Sequence, residues 1–371
     1  MQNQKISNFE AISFLIVLSI SGVVLSTSRI LIKNCGSASL LNVLFITLIA
    51  FVLTLILCLL SKNFTGQSLL NISEFLGGKV LKNIIGLLFI IYITFRVSTF
   101  LRIISACLQN VYYPMTHMIF IIAIFCIATG IICSLKNNGL FKSNAILLPV
   151  IFLSIILIFA GNSKNFNYDN IYPILGNGIK ATFITGSSNV FAFCGIIYLF
   201  FLPPKLKNPE KFTKITLIYI IFFGLYLLLI ISNIMLLYSD AISNNELFPI
   251  YIAVRYIEFG TFFQRLDAAF LFLSVIGFTG VLCLNTYILT DIIKDITNIQ
   301  NNKPLILPCL LTIFGLSLSI SQSSTLEFLA DNVTKISFII LAFIIPFIIL
   351  VSANIKKKFT GGKAWKQLLN G

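Results

Sequence analysis

The chain has 371 residues, 58% of them hydrophobic and 10% charged, with a formal net charge of +14 and a mean hydropathy of +0.99. A water-soluble globule cannot hide that much apolar surface, so the composition excludes a soluble enzyme or carrier and points to a polytopic membrane protein. The excess of lysine and arginine follows from membrane orientation and calls for no nucleic-acid partner.

A bilayer core about 30 Å thick takes roughly 20 mostly apolar residues per helical crossing. Runs of that length fall at 9–32, 40–60, 80–107, 115–133, 140–160, 179–202, 215–238, 268–292, 305–320 and 333–355. The first is too long for a signal peptide's apolar region and has no small-residue cleavage site, so a retained helix is expected. Ten crossings put both termini on one side. Most lysines, among them Lys62, Lys79, Lys82, Lys205, Lys207, Lys211, Lys294 and Lys356, lie on that side, which predicts cytoplasmic termini. The expected fold is all-α and integral to the membrane: ten transmembrane helices in two five-helix repeats, 1–165 and 166–355, followed by a basic cytoplasmic tail, 356–371. Five is odd, so the second repeat is inverted. The KKK run at 356–358 reads as an orientation signal that touches anionic membrane lipid.

The first run contains SISGVVLSTS, residues 19–28, a glycine among hydroxyl residues near mid-span. The third carries Arg96 near its centre and Arg102 nearer its outer end. A charge at Arg96's depth is costly and normally faces the bundle, where it holds a ligand carboxylate or an internal counter-ion, or bonds to broken-helix carbonyls. Tyr92, Arg96 and Thr99 share one helix face by their spacing. His117, the only histidine, opens the fourth run and suits a polar edge better than a proton relay.

The sixth run contains FITGSSN, residues 183–189. Backbone groups freed by unwinding are tolerated at this depth only where they face protein or a polar cavity. Close packing of small residues against a neighbour is the alternative. Aligning Ile20, Ser21 and Gly22 with Ile184, Thr185 and Gly186 places a hydroxyl-glycine interruption in the first helix of each half. Paired interruptions of this kind point to discontinuous helices 1 and 6 with a binding site at the midplane. Half-helix ends then present opposite dipoles to a cavity, glycine lets a ligand approach the backbone, and hydroxyl and amide side chains supply donors and acceptors. Candidate ligand-binding residues are Ser21, Gly22 and Val23 at the first interruption and Thr185, Gly186, Ser187, Ser188 and Asn189 at the second. Tyr92, Arg96 and Thr99 join them from helix 3, and Ser274 and Phe278 from helix 8. A bulky residue at Gly186 is expected to fill the cavity.

The outer segment 239–267 carries a short amphipathic stretch suited to a lid over the cavity or to a plain connector. Acidic residues avoid the middle of every run, which argues against a carboxylate proton relay but leaves sodium coupling open. The eight cysteines show no metal or disulfide spacing, and no cofactor motif or catalytic constellation is present.

YPILGNGIKA, FPIYIAVRYIEFGTFFQRLDAAFLF and the opening KISNFEAISFLIVLSISGVVLS resemble the spore germination permease family, the B subunits of nutrient germinant receptors. The chain departs from the family's pattern at Gln264, where an acidic residue is expected, and lacks a tryptophan along helix 8. That family is similar to the amino acid, polyamine and organocation transporter superfamily. The resemblance implies the five-plus-five architecture, the inner membrane of a spore, A-type and C-type partner subunits, and a small nutrient germinant such as an amino acid. A secondary transporter of amino acids or organic cations is the alternative. No catalysis is implied.

Overall fold

The computed structural model describes residues 5–22, 27–135, 137–238, 249–255, 257, 266–320 and 333–359. They form α1 (Asn8–Gly22), α2 (Ser28–Cys35), α3 (Ser39–Ser61), α4 (Leu69–Val111), α5 (Met118–Ser134) and α6 (Asn137–Asn162). There follow α7 (Lys180–Phe201, not α-wound throughout), α8 (Phe212–Leu237), α9 (Pro249–Arg255), α10 (Leu266–Thr297), α11 (Lys303–Ser319) and α12 (Thr334–Phe359). Every predicted apolar run is thus helical among the described residues. Seven helical stretches are long and apolar enough to cross a membrane, so the chain is an integral membrane protein. Three of the runs expected to span are shorter, at Asn8–Ile20, Met118–Ser134 and Lys303–Ser319. In the first of these, residues 23–26 lie outside the described residues, and α1 is described to Gly22 and helix again from Thr27.

Local sequence explains the ends. Ser7 and Glu10 cap α1 reciprocally, the Ser7 N–H donating to Glu10 Oε2 (2.7 Å) and the Glu10 N–H to Ser7 Oγ (3.3 Å). α4 begins eleven residues before the predicted 80–107 run and bends sharply at Gly77 and Gly78, where Gly78 adopts φ +67°, open to glycine without strain. Lys356 Nζ donates to the carbonyls of Phe75 (2.7 Å) and Leu76 (3.0 Å), groups that this bend would orphan. This lysine of the KKK run thus bolts α12 to the first turns of α4.

α1 is apolar on all sides and buried accordingly: Phe14, Leu15, Ile16, Val17 and Leu18 are all within the core. It packs against α6, α7, α8 and α10. The second half of α7, from Val190 to Phe201, is likewise enclosed. Peripheral helices keep one apolar face outward, as at Ile84, Leu87 and Ile91 of α4 and Ile124, Ile127 and Ile131 of α5, spaced as a lipid-facing stripe. The interior therefore holds α1 and α7, the two helices with polar interruptions.

Candidate ligand-binding site

α7 opens with a π-wound turn, Lys180–Ile184, and tightens to 3₁₀ winding from Thr185, with Phe193 outside helical geometry (φ −79°, ψ 43°). The change falls inside FITGSSN. Such a switch misaligns carbonyls, and a neighbouring amide meets them: Asn42 Nδ2 donates to the carbonyls of Thr182 (2.7 Å) and Gly186 (3.1 Å). Asn42 Oδ1 accepts from Asn189 Nδ2 (2.9 Å), and Asn189 Oδ1 accepts from Asn34 Nδ2 (2.9 Å). Asn42 and Asn189 are fully buried. The strap before α7 joins the same cluster, since Asn177 Nδ2 donates to the Asn34 carbonyl (3.3 Å). Gly176 adopts φ +45° in this strap, and a Cβ there would run into the Cys35 carbonyl.

The hydroxyls of the motif turn back on their own helix. Thr185 donates to the Ala181 carbonyl (3.0 Å), Ser187 to Ile184 (2.7 Å) and Ser188 to Thr185 (2.8 Å). A Cβ on Gly186 would strike Asn42 Nδ2 and stand 2.8 Å from the Ala181 oxygen. The space above Gly186 is thus filled on this side by Asn42.

A second cluster forms where the first run is interrupted. Val23 lies outside the described residues, and Ser21 is placed only as the penultimate residue of α1. Thr27 Oγ1 and Arg96 Nη2 lie 3.3 and 3.9 Å from the position that a Cβ on Gly22 would take. The guanidinium of Arg96 therefore stands beside Gly22. Its electrostatic neighbours are Cys194, Tyr92 and Tyr198, and none of these is a carboxylate. Arg96 Nη1 and the Tyr92 hydroxyl are buried and have no hydrogen-bond partner among the described residues. Tyr198 donates to Asn285 Oδ1, and Asn285 Nδ2 is itself tied to the Val281 carbonyl (2.8 Å), so α10 fixes the direction of the tyrosine hydroxyl.

Of the other predicted residues, Thr99 uses its hydroxyl on the Phe95 carbonyl (2.9 Å). Phe278 is buried edge-on against Phe100 with ring centroids 5.8 Å apart, and Ser274 lies half-buried one turn earlier on α10. The structure thus brings Gly22, Tyr92 and Arg96 together and sets Thr185 to Asn189 apart, since Asn189 and Cys194 are separated by about 10 Å of 3₁₀ rise. Of the expected lid, only Pro249–Arg255 and Ile257 are described; α9 is held by Asn162 Nδ2 donating to the Ala253 carbonyl (3.0 Å). Gln264, and the tail beyond residue 359, lie outside the described residues.

A family model described as spore germination protein matches residues 5–326, which include α1 to α11 and both clusters. The chain belongs to the spore germination protein family. It is 22% identical over 215 residues to spore germination protein XB of Bacillus anthracis, a match spanning 58% of this chain and 60% of that relative.

In this member of the family the two halves of the first run hold different halves of α7. α1 takes the later half: Ser19 Oγ accepts from the Gly195 N–H (2.9 Å) and bonds the Tyr219 hydroxyl (2.7 Å), while the Cys194 thiol donates to the Leu18 carbonyl (3.4 Å). α2 takes the earlier half through Asn34 and Asn189. Sequence reasoning missed Asn34, Asn42, Cys194, Tyr198 and Asn285. Asn42 and Asn285 carried a signal, each as the one amide in its apolar run, 40–60 and 268–292.

Proposed function

We propose that the chain is the membrane-embedded B subunit of a nutrient germinant receptor, which binds a small nutrient, an amino acid by its chemistry, at the membrane midplane and thereby triggers germination. The observation that carries this reading is the buried, unfilled donor capacity of Arg96 Nη1 and the Tyr92 hydroxyl beside the interruption at Gly22. A guanidinium with no carboxylate neighbour among the described residues matches a ligand carboxylate in charge and in planar geometry.

The family and the distribution of apolar helices support the larger frame: ten spans, an inverted pair of repeats at 1–165 and 166–355, and a basic tail at 356–371. Cytoplasmic termini, the spore inner membrane, and A-type and C-type partner subunits belong to the same reading. The ligand acts by preferring one conformation of the receptor, and each tenfold preference supplies about 1.4 kcal/mol.

The test is calorimetric titration of the purified subunit with the twenty common amino acids, repeated with Arg96→Ala. Saturable binding by the parent and none by a folded Arg96→Ala variant is expected. Unchanged binding in that variant would remove Arg96 from the site. Accumulation of an amino acid by the chain alone in liposomes would favour a secondary transporter instead.

A further inference from the structure

The Arg96 guanidinium cannot shed its proton, and it lies in a helix long and apolar enough to span the membrane. The groups facing it from α4 and α7 are Tyr92, Cys194 and Tyr198, all uncharged when protonated. The Cys194 thiol spends its proton on the Leu18 carbonyl (3.4 Å), and the Tyr198 hydroxyl spends its proton on Asn285. Neither compensates a full positive charge, and a buried charge without a counter-charge is strongly disfavoured. A nutrient carboxylate answers that imbalance only while it is bound.

Two unmade hydrogen bonds lie beside this charge. Arg96 Nη1 and the Tyr92 hydroxyl are buried without a partner among the described residues, and Nη2 of the same guanidinium stands 3.9 Å from the position of a Cβ on Gly22. Both features favour one negative charge. The cluster carries a single fixed positive charge, so a divalent anion would leave an excess negative charge in the low-dielectric interior.

We infer that Arg96 and Tyr92 form a monovalent-anion site, which chloride fills when no nutrient is bound and from which a nutrient carboxylate displaces it. The displacement rests on the nutrient reading above, whereas the anion site does not. Chloride and nutrient then compete, so the apparent nutrient affinity falls in proportion to chloride once chloride exceeds its own dissociation constant.

The full chain in detergent is tested first by thermal unfolding at fixed ionic strength in sodium chloride, formate, gluconate and sulfate. Chloride and formate are expected to raise the midpoint over gluconate, and sulfate is not. Tyr92→Phe is expected to weaken the chloride dependence roughly tenfold, as loss of one donor to an anion does. Arg96→Gln is expected to abolish it. No chloride-specific rise in the parent protein, or an equal rise in an Arg96→Gln variant that remains folded in gluconate, overturns the site. Should Arg96→Gln fail to fold, radiolabelled chloride binding by the parent and by Tyr92→Phe decides, and equal binding by the two overturns it. Titration of the tightest-binding amino acid at two chloride concentrations tests displacement. Affinity that does not change with chloride overturns the competition. Chloride binding with no amino acid binding leaves the anion site standing and sinks the nutrient reading instead.

Discussion

Asn42 and Asn189, 147 positions apart, join side chain to side chain at 2.9 Å in the interior, and through them α3 carries the winding change of α7. Asn42→Ala removes both donors and leaves the buried carbonyls of Thr182 and Gly186 unpaired. A loss of about 1–3 kcal/mol is expected, read as a lower unfolding midpoint in detergent. Asn42→Asp should be at least as damaging, because it sets acceptors against acceptors. An unchanged midpoint in both variants would show that the contact does not hold α7.

Arg96→Lys keeps the charge but loses the planar fork. It is expected to retain part of the ligand response, while Arg96→Ala loses about 2–4 kcal/mol, on the order of 30- to 1000-fold in Kd. Binding isotherms on the two variants separate these outcomes. Equal loss in both would assign the effect to geometry alone.

Gly186→Ala places a methyl group against Asn42 and near the Ala181 oxygen. The expected result is destabilisation of about 1–3 kcal/mol, with ligand affinity little changed in the fraction that remains folded. A variant of normal stability that fails to bind would instead place the ligand directly over Gly186.

Lys205 Nζ contacts Asp291 Oδ2 at 2.6 Å and the Tyr287 hydroxyl at 3.1 Å, tying the turn after α7 to α10. Burial would lower this lysine's pKa, but the Asp291 carboxylate and Tyr287 outweigh it and hold the pKa above the ordinary lysine range. A raised lysine pKa means stability that is complete at neutral pH and fades only as the medium becomes strongly alkaline. Lys205→Met should therefore lower the midpoint equally at pH 6 and pH 8, and a double-mutant cycle with Asp291→Asn should show coupling of about 1–3 kcal/mol. A coupling near zero would reduce the contact to a surface pair.

The helical class and the position of every apolar run were legible because lipid demands a long, nearly charge-free segment, and that demand is written residue by residue. Arg96 was legible for the same reason: one charge in such a segment stands out. The roles of Asn42, which stood out only as a lone amide, and of Tyr198, which did not stand out, were not legible, because their importance comes from what lies opposite them. Asn42 matters because α7 changes its winding beside it, and Tyr198 because Asn285 turns its hydroxyl. The hydroxyls of FITGSSN promised ligand contacts, yet Ser187 and Ser188 find acceptors three residues back on their own helix, an option that spacing alone does not distinguish. The bend at Gly77 and Gly78 fell just before the predicted 80–107 run and went unread, although a Gly-Gly pair is itself a break signal.

The 3₁₀ stretch of α7, from Thr185 to Phe201, rises about 2.0 Å per residue where an α-helix rises about 1.5 Å. Its 17 residues are thus extended by roughly 8 Å relative to their relaxed form. Phe193 divides this stretch, so either part rewound as α-helix would shorten it by about 0.5 Å per residue and draw Lys205 toward the strap at Gly176.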